Sequence, residues 1–471
     1  MRPRPSLFVL SSAGRPIFSL CGDADAQSQV MALIQAILAV CDESGDELRG
    51  LEAGSRRFVF LRRGHLTLVG VAAAELETAA HLRLKLELIH AQVLFLLTSK
   101  VQGLFINSPS YDLRALLEGM DQSMRKLVET DQPQYRARLQ SLGLTTVWMD
   151  PVIRHRLTEV LQNAQATVPN LLYVVWVHGQ DLVTLAQPKN LNYQLHTLDL
   201  FFLAHFAETQ PALRCQESWT PVCLPRFNAS GYLQAHISFF ADPPNTKVGK
   251  AGAGTAAGDP GSYLFFITTD TSPEQFHLLM DARVAVESQL KKELGTDWHL
   301  FLSGRALKER NKVLRRFSAS AKALHFLFRL SEGSSTTKDG GKLPPVSQCI
   351  SPPFRSAQSS ADVQQQIWAL YQRGALRLAK GGAQAAGAVG EEGERDGMLS
   401  PTAELLEAEA EHSVAYELGE ERLGMSVAGN GWTLHACFPA SLPVADAFKA
   451  CSRLARTLQR DIRWLFLASL P

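Results

Sequence analysis

The sequence predicts an α+β protein of several similar domains, each an antiparallel sheet with helices packed on it. Three observations predict this class. A unit of hairpin, helix, strands and helix begins near residue 7, restarts near 171 and restarts again near 323. Strand-like runs alternate apolar and polar residues, while helical runs repeat apolar residues every three or four positions. The chain has 471 residues, enough for two to four domains with cores of their own.

The elements follow in order. LFVLSSAGRPIFSL (Leu7–Leu20) reads as two strands turning near Gly14, and an apolar helix covers about Gln27–Cys41. RFVFLRRGHLTLVGVAA (Arg57–Ala73) is a second hairpin, turning at Arg63-Gly64, and the helical run LETAAHLRLKLELIHAQVLFLLTSK closes the unit. The second unit opens with LLYVVWVHGQDLVTLAQ, a hairpin turning at Gly179, followed by the apolar helix LHTLDLFFLAHFAE. The strands GYLQAHISFF and SYLFFITTD flank a Gly/Ala/Pro-rich insertion, and a helix runs from about Ser272 to Glu293. The third unit starts at ALHFLFRL (Ala323–Leu330). It adds a helix around VQQQIWALYQ, strands within Ser413–Phe438 and a last helix from Pro443 to Phe466. Val444, Phe448, Cys451, Leu454, Leu458 and Ile462 lie at helical spacing there. The expected domains are 1–150, 165–318 and 319–471, with flexible insertions at 242–262 and 379–402. The polar stretch Ser331–Pro345 reads as a loop, and the acidic run LEAEAEH (Leu406–His412) as a solvated helix face.

Composition narrows the function classes. Basic and acidic residues number 47 and 46, for a net charge of +1, so bulk charge gives no reason to expect nucleic-acid binding. The longest apolar runs, LYVVWV and LFFLAHF, are core-sized rather than membrane-spanning, and no signal peptide is read. Seven scattered cysteines without a CxxC point to free thiols in a reducing compartment. No HExxH, GxSxG or GxxxxGK[ST] occurs, and the histidines show no paired ligand spacing, so no metal or cofactor is implied.

One stretch carries the residue types of a thiol protease. WTPVCLPRFNASGYLQAHISFF (Trp219–Phe240) holds Cys223, Asn228 and His236. A nucleophilic cysteine needs a base within hydrogen-bond reach and a group that orients the base. His236 lies on a strand, on the face opposite Leu233, Ala235 and Ile237. Pro221 and Pro225 bracket Cys223 in extended backbone, away from any helix N-terminus that would activate it. The segment reads as scaffold, with a thiol-dependent enzyme using Cys223 and His236 as the remote alternative.

Two surfaces are better candidates. In the first helix, Val30, Leu33, Ile34, Ile37, Leu38 and Cys41 form the expected core stripe. The opposite face, with Ser28, Ala32, Gln35, Ala36 and Ala39 and Met31 beside it, has no charge. A flat face of small residues leaves little to desolvate when a partner docks; equally, alanine is simply a good helix former. The run GRALKERNKVLRRFSASAK (Gly304–Lys322) carries Arg305, Lys308, Arg310, Lys312, Arg315 and Arg316 against one acid, Glu309. Such a patch suits anionic lipid headgroups, each basic residue contributing roughly 1 kcal/mol near the surface. A solvated junction between helix and linker has the same composition.

LFVLSSAGRPIFS, FVFLRRGHLTLVGVA, YDLRALLEG (Tyr111–Gly119), WTPVCLPRFNASGYLQAHISFF and HFLFRL…CISPPF resemble the vacuolar fusion protein Mon-one (SAND) family. The most specific match is Trp219, Pro221, Cys223, Pro225, Phe227, Asn228, Gly231 and His236, a structural signature. The resemblance spans nearly the whole chain. It implies three longin-type domains, the first serving as platform for a partner and a GTPase. It implies pairing with a Ccz-one-like three-longin protein, and guanine-nucleotide exchange on the late-endosomal or vacuolar Rab GTPase by differential binding rather than covalent or acid–base catalysis. It also implies a cytosolic protein held peripherally on phosphoinositide-rich endosomal and vacuolar or lysosomal membranes. The alternative is a longin trafficking or planar-polarity scaffold of the Fuzzy type, without exchange activity. Many members of that family carry a long polar N-terminal tail before the first strand, whereas here the first strand is expected within the first ten residues, and the insertions at 242–262 and 379–402 look specific to this chain.

Overall fold

The computed structural model describes the chain except residues 1–5, 13, 21–23, 46, 75–76, 109–110, 118–120, 129–144, 180, 189–193, 211–212, 214–216, 241–260, 303–304, 331–347, 352–360, 388–412, 420 and 468–471. For some helical residues, among them 24–30 and 379–387, only the backbone is described. The chain divides into two compact units, residues 1–132 with 222–232, and residues 133–221 with 233–471.

The first unit holds β1 (Ser6–Ser11), β2 (Pro16–Leu20), α1 (Ala24–Glu43), β3 (Gly50–Ala53), β4 (Arg56–Arg63), β5 (Leu66–Ala73) and α2 (Ala79–Leu97). The strands form one sheet in the order β2-β1-β5-β4-β3, every neighbour antiparallel. Because β2 and β3 are the two edges, the chain must cross the sheet between them, and α1 makes that crossing. Its inner residues pack on Phe8, Leu10, Phe60, Val69 and Val71. Helix α2 begins at Thr78, whose hydroxyl accepts the His81 N–H, and packs on β4 and β5. Gly70 makes room for it, since a Cβ there would stand 2.8 Å from Leu82 of α2.

Two further sheets of the same plan belong to the second unit, apart from the hairpin tip at residues 222–232, which groups with the first unit. In the first of them α3 (Pro151–Thr167) precedes β6 (Leu171–His178) and β7 (Asp181–Ala186), α4 (Thr197–Thr209) makes the crossing, and β8 (Ser218–Leu224), β9 (Ala229–Phe239), β10 (Ser262–Thr268) and α5 (Pro273–Leu294) follow. The order is β7-β6-β10-β9-β8. Helix α3 is not among the expected elements, although Asp150 caps it by accepting the Val152 N–H and Pro151 opens it. After α6 (Arg305–Ser320), the last sheet comprises β11 (His325–Leu330), β12 (Gln348–Ile350), β13 (Ser413–Leu418), β14 (Arg422–Gly429) and β15 (Trp432–Pro439), ordered β12-β11-β15-β14-β13. Helix α7 (Ala361–Gly387) makes the crossing and α8 (Val444–Arg460) closes the fold. Phe326, Phe328 and Leu434 face α8, while Leu327 and Cys437 pack with Ile367, Trp368 and Tyr371 of α7.

The insertions come out differently from expectation. Residues 379–387 continue α7, where alanines favour helix, and Ser262 opens β10. Residues 242–260 and 388–402, with the stretches Ser331–Pro345 and Leu406–His412, lie outside the described residues.

Buried arginines tie this unit together. Arg154 of α3 donates to the carbonyl oxygens of Val147 and Phe466, and burial lowers its pKa to about 10. Trp148 stacks on Trp464 with ring centres 5.5 Å apart.

Candidate functional site

The first surface is α1. No charged residue occurs between Met31 and Cys41, so the helix is positioned mainly by apolar burial. The buried side is Met31, Ile34 and Leu38, with Cys41 half-buried. Ala32, Leu33, Gln35, Ala36, Ala39 and Val40 are exposed. Two expectations are thereby corrected. Met31 belongs to the core, not to the docking face. Leu33, expected in the core, is 55% exposed, and Val40 is 67% exposed. The buried stripe 31–34–38 points about one position away from the predicted one, because β1 and β5 decide which side of an almost wholly apolar helix meets the sheet. Gln35 donates its amide to the Gly14 carbonyl in the β1–β2 turn, which fixes the helix against that turn. The Ser28 side chain lies outside the described residues. The outer face is thus more apolar than the sequence reading makes it: Leu33, Ala36 and Val40 follow at i, i+3 and i+7.

The second surface is basic. On α6, Arg305, Lys308, Lys312, Arg315 and Arg316 are exposed, as expected. Arg310 is not among them. It turns inward to a 2.7 Å ion pair with the buried Asp181 and donates to the Thr146 carbonyl. Its place in the membrane-facing set is corrected: a guanidinium and a carboxylate held together below the surface present no charge to a lipid. A residue set that sequence reasoning missed takes over. Helix α8 packs beside α6 and exposes Lys449, Arg453, Arg456 and Arg460, with Asp446 at the near end. These positions repeat at i, i+4, i+7 and i+11, a pattern visible in the sequence once the polar side of α8 is read as closely as its apolar side. Between α8 and the turn that follows α6 lies a groove of about 580 Å³, lined by Lys322, Phe448, Lys449, Arg453, Arg456 and Asp446, among others.

The signature stretch is scaffold. The Cys223 thiol is fully buried and points at the carbonyl oxygens of Asn228 and Ala229, 3.5 and 3.6 Å away. Asn228 Oδ1 accepts the Ser230 N–H and hydroxyl, an Asx turn that starts β9. Pro221 lies exposed in the edge strand β8, and Pro225 opens a one-turn helix, Pro225–Asn228, that includes Phe227. Ser99 N–H donates to Ala229 O and the Tyr232 hydroxyl to Leu96 O, so this hairpin tip is anchored on the end of α2. Gly231 sits half-buried within the same tip. Trp219 meets the edge of Phe276. His236 is fully buried, its Nε2 3.2 Å from Glu217, which Arg283 also approaches. Burial lowers the His236 pKa against the opposing pull of Glu217. Cys223 and His236 therefore have separate partners, backbone carbonyls for one and Glu217 for the other, and the thiol dyad of the remote alternative is not built. Burial likewise raises the thiols of Cys349 and Cys437 to about 12. Among the described residues no cluster of three or more His, Cys, Asp or Glu could hold a metal ion, and no helix is long and apolar enough to cross a membrane.

Two family models match this chain, described as the first and the second longin domain of FUZ, MON1 and HPS1, over residues 6–127 and 169–283. Among curated proteins, vacuolar fusion protein MON1 homolog B of Homo sapiens is 30% identical over 390 residues, covering 80% of this chain and 64% of that protein. The chain belongs to the MON1 family. The MON1 homolog of Arabidopsis thaliana is 29% identical over 285 residues, 60% of this chain and 42% of that protein. Human MON1 homolog A is 30% identical over 290 residues, 61% and 40%. The chain thus spans from two fifths to just under two thirds of these relatives' length. The third sheet repeats the strand order of the two matched longin domains, so the MON1-type fold here is three longin-type domains in tandem.

Proposed function

We propose that this chain acts in vacuolar or lysosomal fusion and trafficking as one subunit of a heterodimeric guanine-nucleotide exchange factor. Its partner is a Ccz-one-like three-longin protein, and its client is the late-endosomal or vacuolar Rab GTPase that drives early-to-late endosome conversion. The observation that carries this reading is the uncharged outer face of α1, with Leu33 and Val40 in solvent. Burying a side chain of that kind contributes about 1.5–3 kcal/mol, and a face of alanines lets a second backbone approach closely.

Exchange of this kind needs no bond chemistry. The factor binds the open, nucleotide-poor GTPase more tightly than the closed one, and each tenfold of preference corresponds to about 1.4 kcal/mol. The relatives are named vacuolar fusion proteins, which supports the compartment. The exposed basic residues of α6 and α8 support peripheral attachment to anionic endosomal, vacuolar or lysosomal membrane.

A second reading is a longin trafficking or planar-polarity scaffold without exchange activity, since the matching domain type is common to FUZ, MON1 and HPS1. Release of a fluorescent GDP analogue from the Rab separates the two. Acceleration by this chain with its partner, and its loss in Ala36→Arg, is the expected result. A stable complex that leaves GDP release unchanged would establish the scaffold.

A further inference from the structure

The last turns of the basic helix α6 hold a serine, Ser318, that the membrane reading does not use. Its last turns run Arg315-Arg316-Phe317-Ser318. Both arginines are exposed and form no ion pair among the described residues, while Phe317 packs against the third-sheet core. Two arginines placed two and three residues before a serine are what an arginine-directed protein kinase reads, because its acidic cleft binds guanidinium groups in a forked, charge-assisted way. Ser318 is half-buried, and its hydroxyl makes no hydrogen bond among the described residues.

A kinase takes its substrate as an extended segment, so the last turn of α6 must open. The geometry at that end favours opening. The turn is closed by two bonds, Ala323 N–H to Ser318 O at 2.9 Å and Lys322 N–H to Ala319 O at 3.1 Å. This double closure turns on a residue in left-handed backbone, a place glycine usually fills. Here it is Lys322, at φ 54°, whose Cβ makes that conformation unfavourable. Helix ends closed in this way open at lower cost than the core they flank.

We propose that Ser318 is a phosphoacceptor for an arginine-directed serine kinase, and that its phosphate weakens the hold of the α6–α8 basic face on anionic membrane. The γ-phosphoryl group of ATP passes to Ser318 Oγ as its bond to the β-phosphate oxygen breaks; ADP leaves and the hydroxyl proton goes to the kinase's base. The phosphate brings about 1.5–2 negative charges next to Arg315, Arg316 and Lys322, and sets them at the negative end of the α6 dipole, which loosens that turn further. The modification does not depend on the membrane reading, but its consequence does.

The full chain is incubated with ATP and the catalytic subunit of a cyclic-nucleotide-dependent protein kinase, and the phosphate is mapped by mass spectrometry. Unmodified and phosphorylated chains are then sedimented with vesicles of phosphatidylcholine alone or with one fifth phosphatidylserine. Near-stoichiometric phosphate on Ser318, absent in Ser318→Ala but kept in Ser320→Ala, with binding to the anionic vesicles weakened about tenfold or more, is the expected result. Ser320 serves as the control because its hydroxyl is already bonded to Phe317 O and it has no arginine three residues before it. No phosphate on Ser318, or phosphate with unchanged binding, overturns the proposal. Failure of the unmodified chain to bind anionic vesicles overturns the membrane reading and the switch together, whatever the phosphate map.

Discussion

Helices α1 and α4 occupy the same place in two sheets, each carrying the chain from one edge strand to the other, and both are rich in apolar residues. Their surroundings differ. No residue of α4 is exposed: Leu200, Phe202, Leu203 and Ala207 are buried, and even its outward Leu198, Phe201 and Phe206 are half-covered. In α1, by contrast, Leu33 and Val40 stand in water beside Ala32, Ala36 and Ala39. A helix that is apolar all round is ordinarily buried all round. Helix α4 obeys that rule within this chain, whereas α1, among its described residues, buries one side on its sheet and leaves the other in water. The third crossing helix, α7, adds polar contacts to its apolar seat of Ile367 and Trp368, with the Tyr371 hydroxyl between the ring and the carbonyl of His325, and Gly374 lying against Ser426. One topology thus supports a buried helix, a helix with a mixed apolar and polar seat and a helix with an open apolar face, and only the last is suited to docking.

The sharpest test of this contrast is truncation on its covered side. Phe202→Ala, in the covered α4, is expected to cost about 3–5 kcal/mol in urea unfolding. Loss of under 1 kcal/mol would mean that α4 is not packed as described.

The seat of α7 should respond to pH, because His325 and His435 are held neutral by burial with pKa values near 4. Unfolded histidine titrates near 6.5. Between about pH 6.5 and 4 the unfolded state therefore binds protons that the folded state refuses, and stability falls as pH falls through that window. Each histidine adds up to about 1.4 kcal/mol per pH unit to the slope. Denaturant midpoints measured across pH 4–7 should flatten in His325→Gln and His435→Gln. The seat of α1 is apolar, and Met31→Leu should leave the pH profile as it is.

Ala36→Arg should change stability by less than about 0.5 kcal/mol, as surface substitutions do, yet weaken pairing with the three-longin partner at least about tenfold in a titration. Equal losses of stability and of pairing would mean the α1 face is structural. The smallest expected effect is Lys322→Gly, which relieves left-handed backbone at the end of α6 and should stabilise the second unit by about 1 kcal/mol.

Much of the fold was legible because its signals are local. Gly14, Gly64 and Gly179 each turn a hairpin at positive φ, alternation marked β9, and apolar spacing marked α8. Helix α3 was missed although Asp150-Pro151 announces it, and β8 was read only as extended backbone because prolines mask an edge strand. The surfaces were less legible. The uncharged face of α1 could be read, but not its direction: in a nearly all-apolar helix, any side can face the sheet. The basic run of α6 could be read, but not that Arg310 turns to Asp181, whose carboxylate lies on the distant strand β7.

By itself, then, the sequence determined three repeats of one α+β plan, the turns and helices within them, and the uncharged and basic runs from which the surfaces are made. Periodicity, glycine and charge act over a few neighbouring residues, so they are readable without a fold. Only the tertiary structure decided that Leu33 faces water and Met31 the core, that Arg310 is spent on an internal ion pair, and that α8 joins α6 to form one basic face. Each of these depends on residues far apart in sequence competing for the same space, and packing settles that competition only once the sheets have formed.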